Sequence, residues 1–451
     1  MPDADPALPS RRRLLQGLAA AACAGGAARS QVWAMPGGGR SRFVFVLLRG
    51  GYDAMTLLVP SASLYREWRP RLAVPWAGAD GSTGAQLLDS DWALHPAAAD
   101  ALAPLLRAGQ IGFVPFAGTQ DLTRSHFETQ DTIEGGLAVG GRAPVRSGFL
   151  NRLAAVLGGS GQGQALPPVA AATAATGMTA GTTAGMPPGA IASTAALARR
   201  LGPIAFSEQL PLAFRGPVAV ANTPLRQAPR RVGGEALQPA ITRMYAGHVL
   251  QRPVDEAFAL RAEIARQLQG EMMAADRQAV SARGFEAEAR RIGLVLRADH
   301  RLAFVDVGGW DTHVGQGSLQ GPLPTRLAEL GRGLVALADA LGHDEWAHTV
   351  VVVGSEFGRT LRENGAQGTD HGHGSVWWVA GGGLSGGSPG RPVRGEQVAI
   401  TATTVHQDRD LPVLNDWRAW VGGLLQRQFA LDGRALATVF PEATTVDLGW
   451  L

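Results

Sequence analysis

The sequence contains no lysine, and all 41 basic residues among its 451 are arginine. A replacement that complete marks GC-rich coding rather than any chemistry. Cysteine is almost as scarce. The one Cys, Cys23, falls in the N-terminal leader, so the remaining chain can form no disulfide. Its stability must come from packing, with bound metal as a further source. Charged residues make up 18% and aromatics 6%, against 45% hydrophobic residues, which excludes a disordered chain and fits a globular one with a sizeable core. An excess of one charge sign is also missing. Setting aside the first 34 residues, with four Arg and two Asp, leaves 37 Arg against 36 acidic residues. No basic stripe interleaved with aromatics occurs, which argues against a nucleic-acid partner. Beyond the leader there is no lipophilic run long enough for a stable membrane span; one Ala/Thr/Gly tract is uncharged but too weakly apolar.

What the N-terminus does contain is ordered. Ser10-Arg11-Arg12-Arg13-Leu14-Leu15-Gln16 precedes an apolar stretch from Leu14 to Ala28, and Val32-Trp33-Ala34 supplies a small-residue cleavage pattern. Paired Arg with Leu two residues on resembles a twin-arginine (Tat) export signal. Residues 1–34 are therefore expected to be a Tat signal peptide. The translocase would be a partner during export, and the mature protein would be periplasmic or extracellular. An anchored lipoprotein at Cys23 is disfavoured by the poor lipobox Ala20-Ala21-Ala22.

The mature chain opens on Phe43–Leu48, a continuous apolar run that reads as a strand buried on both faces. Further strands are expected at residues 111–116, 302–307, 349–353 and 376–380, and helices at 97–108 and 324–341, the latter capped by Gly342. Residues 254–298 read as one or two long helices broken near Gly270 or Gly284. Residues 157–200, rich in Ala, Gly, Thr and Pro, read as an insertion without its own core. Alternating strands and helices predict a single α/β domain over residues 41–445, with a mostly parallel central sheet covered on both faces.

Ligand sites in such sheets lie beyond the carboxyl ends of the strands. Four expected strands run into polar clusters there: Arg49 to Asp53, Thr123 to Glu128, Gly308 to His313, and Gly354 to Thr360. Gly368 to Gly374 leads into the fifth strand. Together these loops predict a metal site built from Asp53, Asp311, His313, Glu356, Asp370, His371 and His373. Carboxylates mixed with imidazoles suit one or two divalent cations, namely Zn, Mn or Fe, with Ca or Mg at an all-oxygen subsite. A lone Asp after a strand often only caps a helix. Asp370-His371-Gly372-His373 is harder to explain by packing. Ser125 opens an S-x-x-E capping box, yet its hydroxyl at a helix N-terminus is also a candidate nucleophile, with Thr123 as competitor. Arg124, Arg49 and Arg359 are candidate clamps for an anionic substrate.

The strings LLRGGYDAM, RSHFETQD, DVGGWDTH and VVVGSEFGRTLRENGAQGTDHGHGSVWWVAGG resemble the bacterial family called domain of unknown function 1501, over roughly residues 41–440. That family is grouped with the alkaline phosphatase and sulfatase superfamily. The resemblance implies a three-layer αβα sandwich and a binuclear metal site. It also implies that Asp53 takes the place of the superfamily's first-strand metal Asp, Asp311 and His313 that of its Asp-and-His pair, and His371 or His373 that of a lone His. Ser355-Glu356 stands where the superfamily has Asp-His. The activity expected on these grounds is metal-dependent hydrolysis of a small or polymeric anionic ester, phosphate or sulfate. The competing expectation is an exported binding or assembly protein without turnover.

Overall fold

The computed structural model describes residues 40–78, 83–141, 147–159, 202–224, 241–259 apart from 249, 253 and 257, 284–298, 300–384 and 391–451. The expected leader, most of the 157–200 insertion and residues 260–283 lie outside this set.

Eleven strands are described: β1 (Arg42–Leu48), β2 (Leu58–Pro60), β3 (Gln86–Leu87), β4 (Trp92–Leu94), β5 (Ile111–Gly118), β6 (Ile204–Phe206), β7 (Ala221–Asn222), β8 (Leu302–Val307), β9 (Thr349–Ser355), β10 (Ser375–Gly381) and β11 (Asn415–Asp416). The helices are α1 (Ala54–Leu57), α2 (Ser63–Trp68), α3 (Pro96–Arg107), α4 (His126–Gly135), α5 (Phe149–Gly159), α6 (Phe285–Arg297), α7 (Pro322–Leu341), α8 (His343–Trp346), α9 (Trp417–Phe429) and α10 (Gly433–Val439).

Eight strands form one sheet in the order β11-β5-β10-β9-β1-β8-β6-β7. All run the same way except β10, which is antiparallel to both β9 and β5. The fold is therefore mixed α/β with a mostly parallel sheet. Strand β1 lies near its centre, and all seven of its residues are buried. Alternation sends Val44, Val46 and Leu48 into one apolar core and Phe43, Phe45 and Leu47 into another on the opposite face. Helices α3, α6 and α7 contribute to the first core, and α5, α9 and α10 to the second. Leu323, Leu327, Leu330, Leu334, Leu337 and Leu341 recur every three or four residues along α7, so all six face inward. Pro322 at its first turn and Gly342 (φ 76°) at its end set its limits.

Within the 254–298 stretch expected to hold one or two long helices, residues 254–256 and 258–259 are helical and α6 begins at Phe285, preceded by Gly284 at φ 67°, one of the two expected breaks. Six described strands were not expected. Each is only two or three residues long. Among the described residues no helix is long and apolar enough to cross a membrane.

Candidate metal centre

Strands β1, β5, β8 and β9 are parallel, so the loops that follow them share one rim of the sheet. The loop before β10 reaches that rim because β10 is reversed. The turn after β1 is shaped by Gly50 (φ 123°), where a Cβ would lie 2.4 Å from the backbone nitrogen of Asp311. Only glycine lets these two loops touch. Trp310, almost fully buried, packs edge-on against Tyr52 and anchors the loop that carries Asp311.

Asp311 is the focus of three imidazoles. His313 Nε2 lies 3.0 Å from Asp311 Oδ1, His371 Nε2 lies 3.7 Å from the same oxygen, and His126 Nε2 lies 3.7 Å from Oδ2. The donor atoms of His126, Asp311 and His371 all fall within 4.8 Å of one another, as a metal ion would require. His313 Nε2 is 3.1 Å from His371 Nε2.

Each ring is held from behind through Nδ1. His126 Nδ1 meets Glu356 Oε1 at 2.8 Å, His313 Nδ1 meets Asp370 Oδ1 at 3.1 Å, and His371 Nδ1 meets the Arg124 carbonyl at 2.9 Å. All three partners are acceptors, so Nδ1 carries the proton and the neutral ring leaves a lone pair on Nε2. Metal-ligating histidines are oriented in this way. Two such lone pairs 3.1 Å apart, on His313 and His371, repel; Arg359 Nη1 donates to His313 Nε2 at 3.4 Å, and a cation between the rings would relieve the rest. His126 Nε2 is shielded from solvent and has no hydrogen-bond partner. Donor chemistry and this orphaned atom both fit a metal.

Charge supports the same arrangement. Burial would push the Glu356 carboxyl up, but hydrogen bonds from His126, Gln130 and the Gly50 amide outweigh it and bring it down to about 2. The bond to Glu356 in turn raises His126 above its ordinary value. His371 is shifted down, first by burial and then by the neighbouring His126, Arg359 and His313. For Asp311, burial acts upward, but Arg359 overrides it and holds the carboxyl below its usual range. The Arg359 guanidinium is buried and donates to Asp311 and to the carbonyls of Gly50, Gly51 and Thr369.

A family described as "Protein of unknown function (DUF1501)" matches residues 116–440. The chain belongs to this DUF1501 family. No curated protein and no solved structure matches it. The DUF1501 span contains His126, Asp311, His313 and His371, whereas Asp53 and the β1 turn precede it.

The other residues singled out from the sequence are placed as follows. Asp53 is buried in an ion pair with Arg69, whose Nη1 and Nη2 reach its two oxygens at 2.5 and 2.9 Å; Thr56 and Gln316 donate to it as well. Glu356 is fully buried and occupied by four donors, among them Ser355 Oγ at 2.8 Å. Asp370 backs His313 and is fixed by Asn364 Nδ2 at 3.1 Å. His373 is set apart from the Asp311 cluster. There it packs against the His406 ring, 4.9 Å between centroids, and burial followed by His406 and Arg124 brings it down to about 4. Ser125 caps α4, its Oγ accepting the Glu128 amide at 3.4 Å. Thr123 Oγ1 lies 3.4 Å from Thr129 Oγ1 and accepts from the Ser125 amide. Arg49 is engaged by Asp306, Gln130 and Glu134, and Arg124 by Asp410 and Gln407. His126 was not among the expected ligands. The capping box beginning at Ser125 accounts for that turn without it, and the available signal was its place just beyond a strand end at the same rim.

Proposed function

We propose that this DUF1501 protein is an exported metal-dependent hydrolase of phosphate or sulfate esters, built on an alkaline phosphatase-like three-layer scaffold. The observation that carries the reading is the convergence of three Nδ1-anchored imidazoles on Asp311. His126, Asp311 and His371 would hold one divalent cation, with His313 Nε2 as a further donor. Imidazole nitrogens with one carboxylate favour Zn, Mn or Fe over Ca or Mg. When bound, such an ion would supply Lewis acidity and an activated water.

The chain's own groups do the rest. Glu356, Asp370 and the Arg124 carbonyl keep the three rings from turning. Arg359 fixes Asp311 and offsets its charge. The N-terminal end of α4, which begins at His126, directs the positive pole of its dipole towards the rim and favours an anion. The Ser125 and Thr123 hydroxyls are committed to local bonds, which favours water as the nucleophile. About a quarter of the His126 and His371 side chains and nearly half of Asp311 are exposed, which leaves room for a substrate.

One observation favours the alternative, an exported binding or assembly protein that keeps the metal without turnover. Arg49, Arg124 and Arg359 are each engaged by carboxylates, carbonyls or amides and do not reach out for an anion. Elemental analysis of the purified mature protein, followed by assays on an aryl phosphate and an aryl sulfate, separates the readings. The hydrolase reading expects a transition metal near one per chain, lost in the His126→Ala, His371→Ala double variant, together with turnover. Metal without turnover leaves the binding reading. A folded wild-type protein that takes up no metal overturns the hydrolase reading.

A further inference from the structure

The partner of His371 Nδ1 is a backbone carbonyl, and the residue that supplies it is unusual. Arg124 has φ 52°, in the left-handed region that residues with a Cβ rarely adopt. A salt bridge alone does not call for that conformation, since a long flexible side chain reaches a carboxylate from many backbone geometries. What the conformation accompanies is a carbonyl directed at His371, 2.9 Å from Nδ1.

The Arg124 side chain is held from the other end. Its Nε and Nη2 donate to Asp410 Oδ2 at 3.0 and 2.6 Å, and Nη2 also donates to Gln407 Oε1 at 2.7 Å. The Asp410 side chain is fully buried. It sits in a tight turn closed by His406 N to Asp410 O at 2.7 Å, with Gln407 and Asp408 both at positive φ. The same turn grips His371 a second time, because Arg409 Nη2 donates to the His371 carbonyl at 2.8 Å. The 406–410 turn thus holds both the ring and the backbone of His371, although none of its side chains contributes a donor to the Asp311 cluster.

We propose that Asp410 is a positioning residue that acts through Arg124. By anchoring the guanidinium it keeps the left-handed backbone in place, and so keeps the carbonyl on His371 Nδ1 and the Nε2 lone pair facing into the cluster around Asp311. The proposal rests on the metal-centre reading for its consequence, but not for its geometry. Groups that orient a ligating histidine from behind change metal affinity by about 10–100-fold when removed.

The test compares wild type, Asp410→Asn and Arg124→Gly. Asn keeps the shape of Asp410 without its charge, and Gly adopts positive φ freely while removing the anchor. Zn2+ affinity is read by chelator competition, and the His371 tautomer by 15N NMR of the metal-free proteins. Both variants should bind Zn2+ about 10–100-fold more weakly. Both should also shift His371 from the Nδ1–H form towards the Nε2–H form, with an unchanged circular dichroism spectrum. If Asp410→Asn fails to fold, Arg124→Gly decides alone. Wild-type affinity together with a wild-type tautomer in a folded variant overturns the proposal. If wild type itself binds no Zn2+, the metal reading fails, and the tautomer measurement still decides whether Asp410 sets the ring.

Discussion

Glu356 shows how much one buried carboxylate can hold together. It takes bonds from the Gly50 amide after β1, from Gln130 and His126 on α4, and from its own neighbour Ser355. Its folded-state value of about 2 lies below the ordinary 4.5, so the stability it contributes is present above about pH 4.5 and is lost as pH falls towards 2. The difference corresponds to about 3 kcal/mol at 1.36 kcal/mol per unit. His126 works in the opposite sense. Its value is raised, so its share is present below about 6.5 and fades as pH rises through the folded value. The Glu356–His126 bond is therefore strongest between these limits. Urea unfolding of wild type and Glu356→Gln from pH 2 to 7 should show a steep acid limb in wild type that is shallower in the variant by about 3 kcal/mol. Parallel curves would remove this role from Glu356. Asp53 makes a related point. An aspartate just past a buried strand reads as a ligand in the sequence, but the Arg69 that claims it is 16 positions further on and no local pattern announces the pair.

Among the elements, the long buried runs were legible because their pattern is local. Phe43–Leu48, Ile111–Phe116, Leu302–Val307 and Thr349–Val353 all lie within observed strands, since consecutive apolar residues have few other destinations. The two-residue β3, β7 and β11 carry no period to read and exist only through their partners. The reversal of β10 was equally silent, although the Asp370–His373 loop joins the rim only because of it. That loop is seated tightly. At Gly368 a Cβ would lie 2.2 Å from the backbone of His313, whereas Gly365 has nothing within 4 Å. Gly368→Ala should therefore weaken metal uptake and lower Tm by about 2–4 °C or more, with the overpacking cost falling on the His313 loop. Gly365→Ala should do neither. Equal behaviour of the two variants in a thermal melt and a metal titration would show that the close approach does not shape the centre.

At the level of the whole molecule, the alternating burial of β1 places one apolar core on each face of the sheet, as the unbroken run Phe43–Leu48 led one to expect. The expected leader belongs to this scale as well, because a Tat signal, which Arg11-Arg12 resembles, would route a protein that is already folded. Residues 1–34 fused to a folded reporter should deliver it outside the cytoplasm only where the Tat translocase is present. Arg11→Lys with Arg12→Lys should abolish that delivery. A reporter exported equally well without the translocase would remove the assignment.

The bond between Arg124 and His371 joins residues 247 positions apart, and the strand that carries the second into place runs against its neighbours. An incomplete chain emerging from the ribosome thus owns half a clasp. On the metal reading proposed above, an ion could be gripped by both halves only after synthesis has passed His371, so occupancy would register that the polypeptide has been made at least that far.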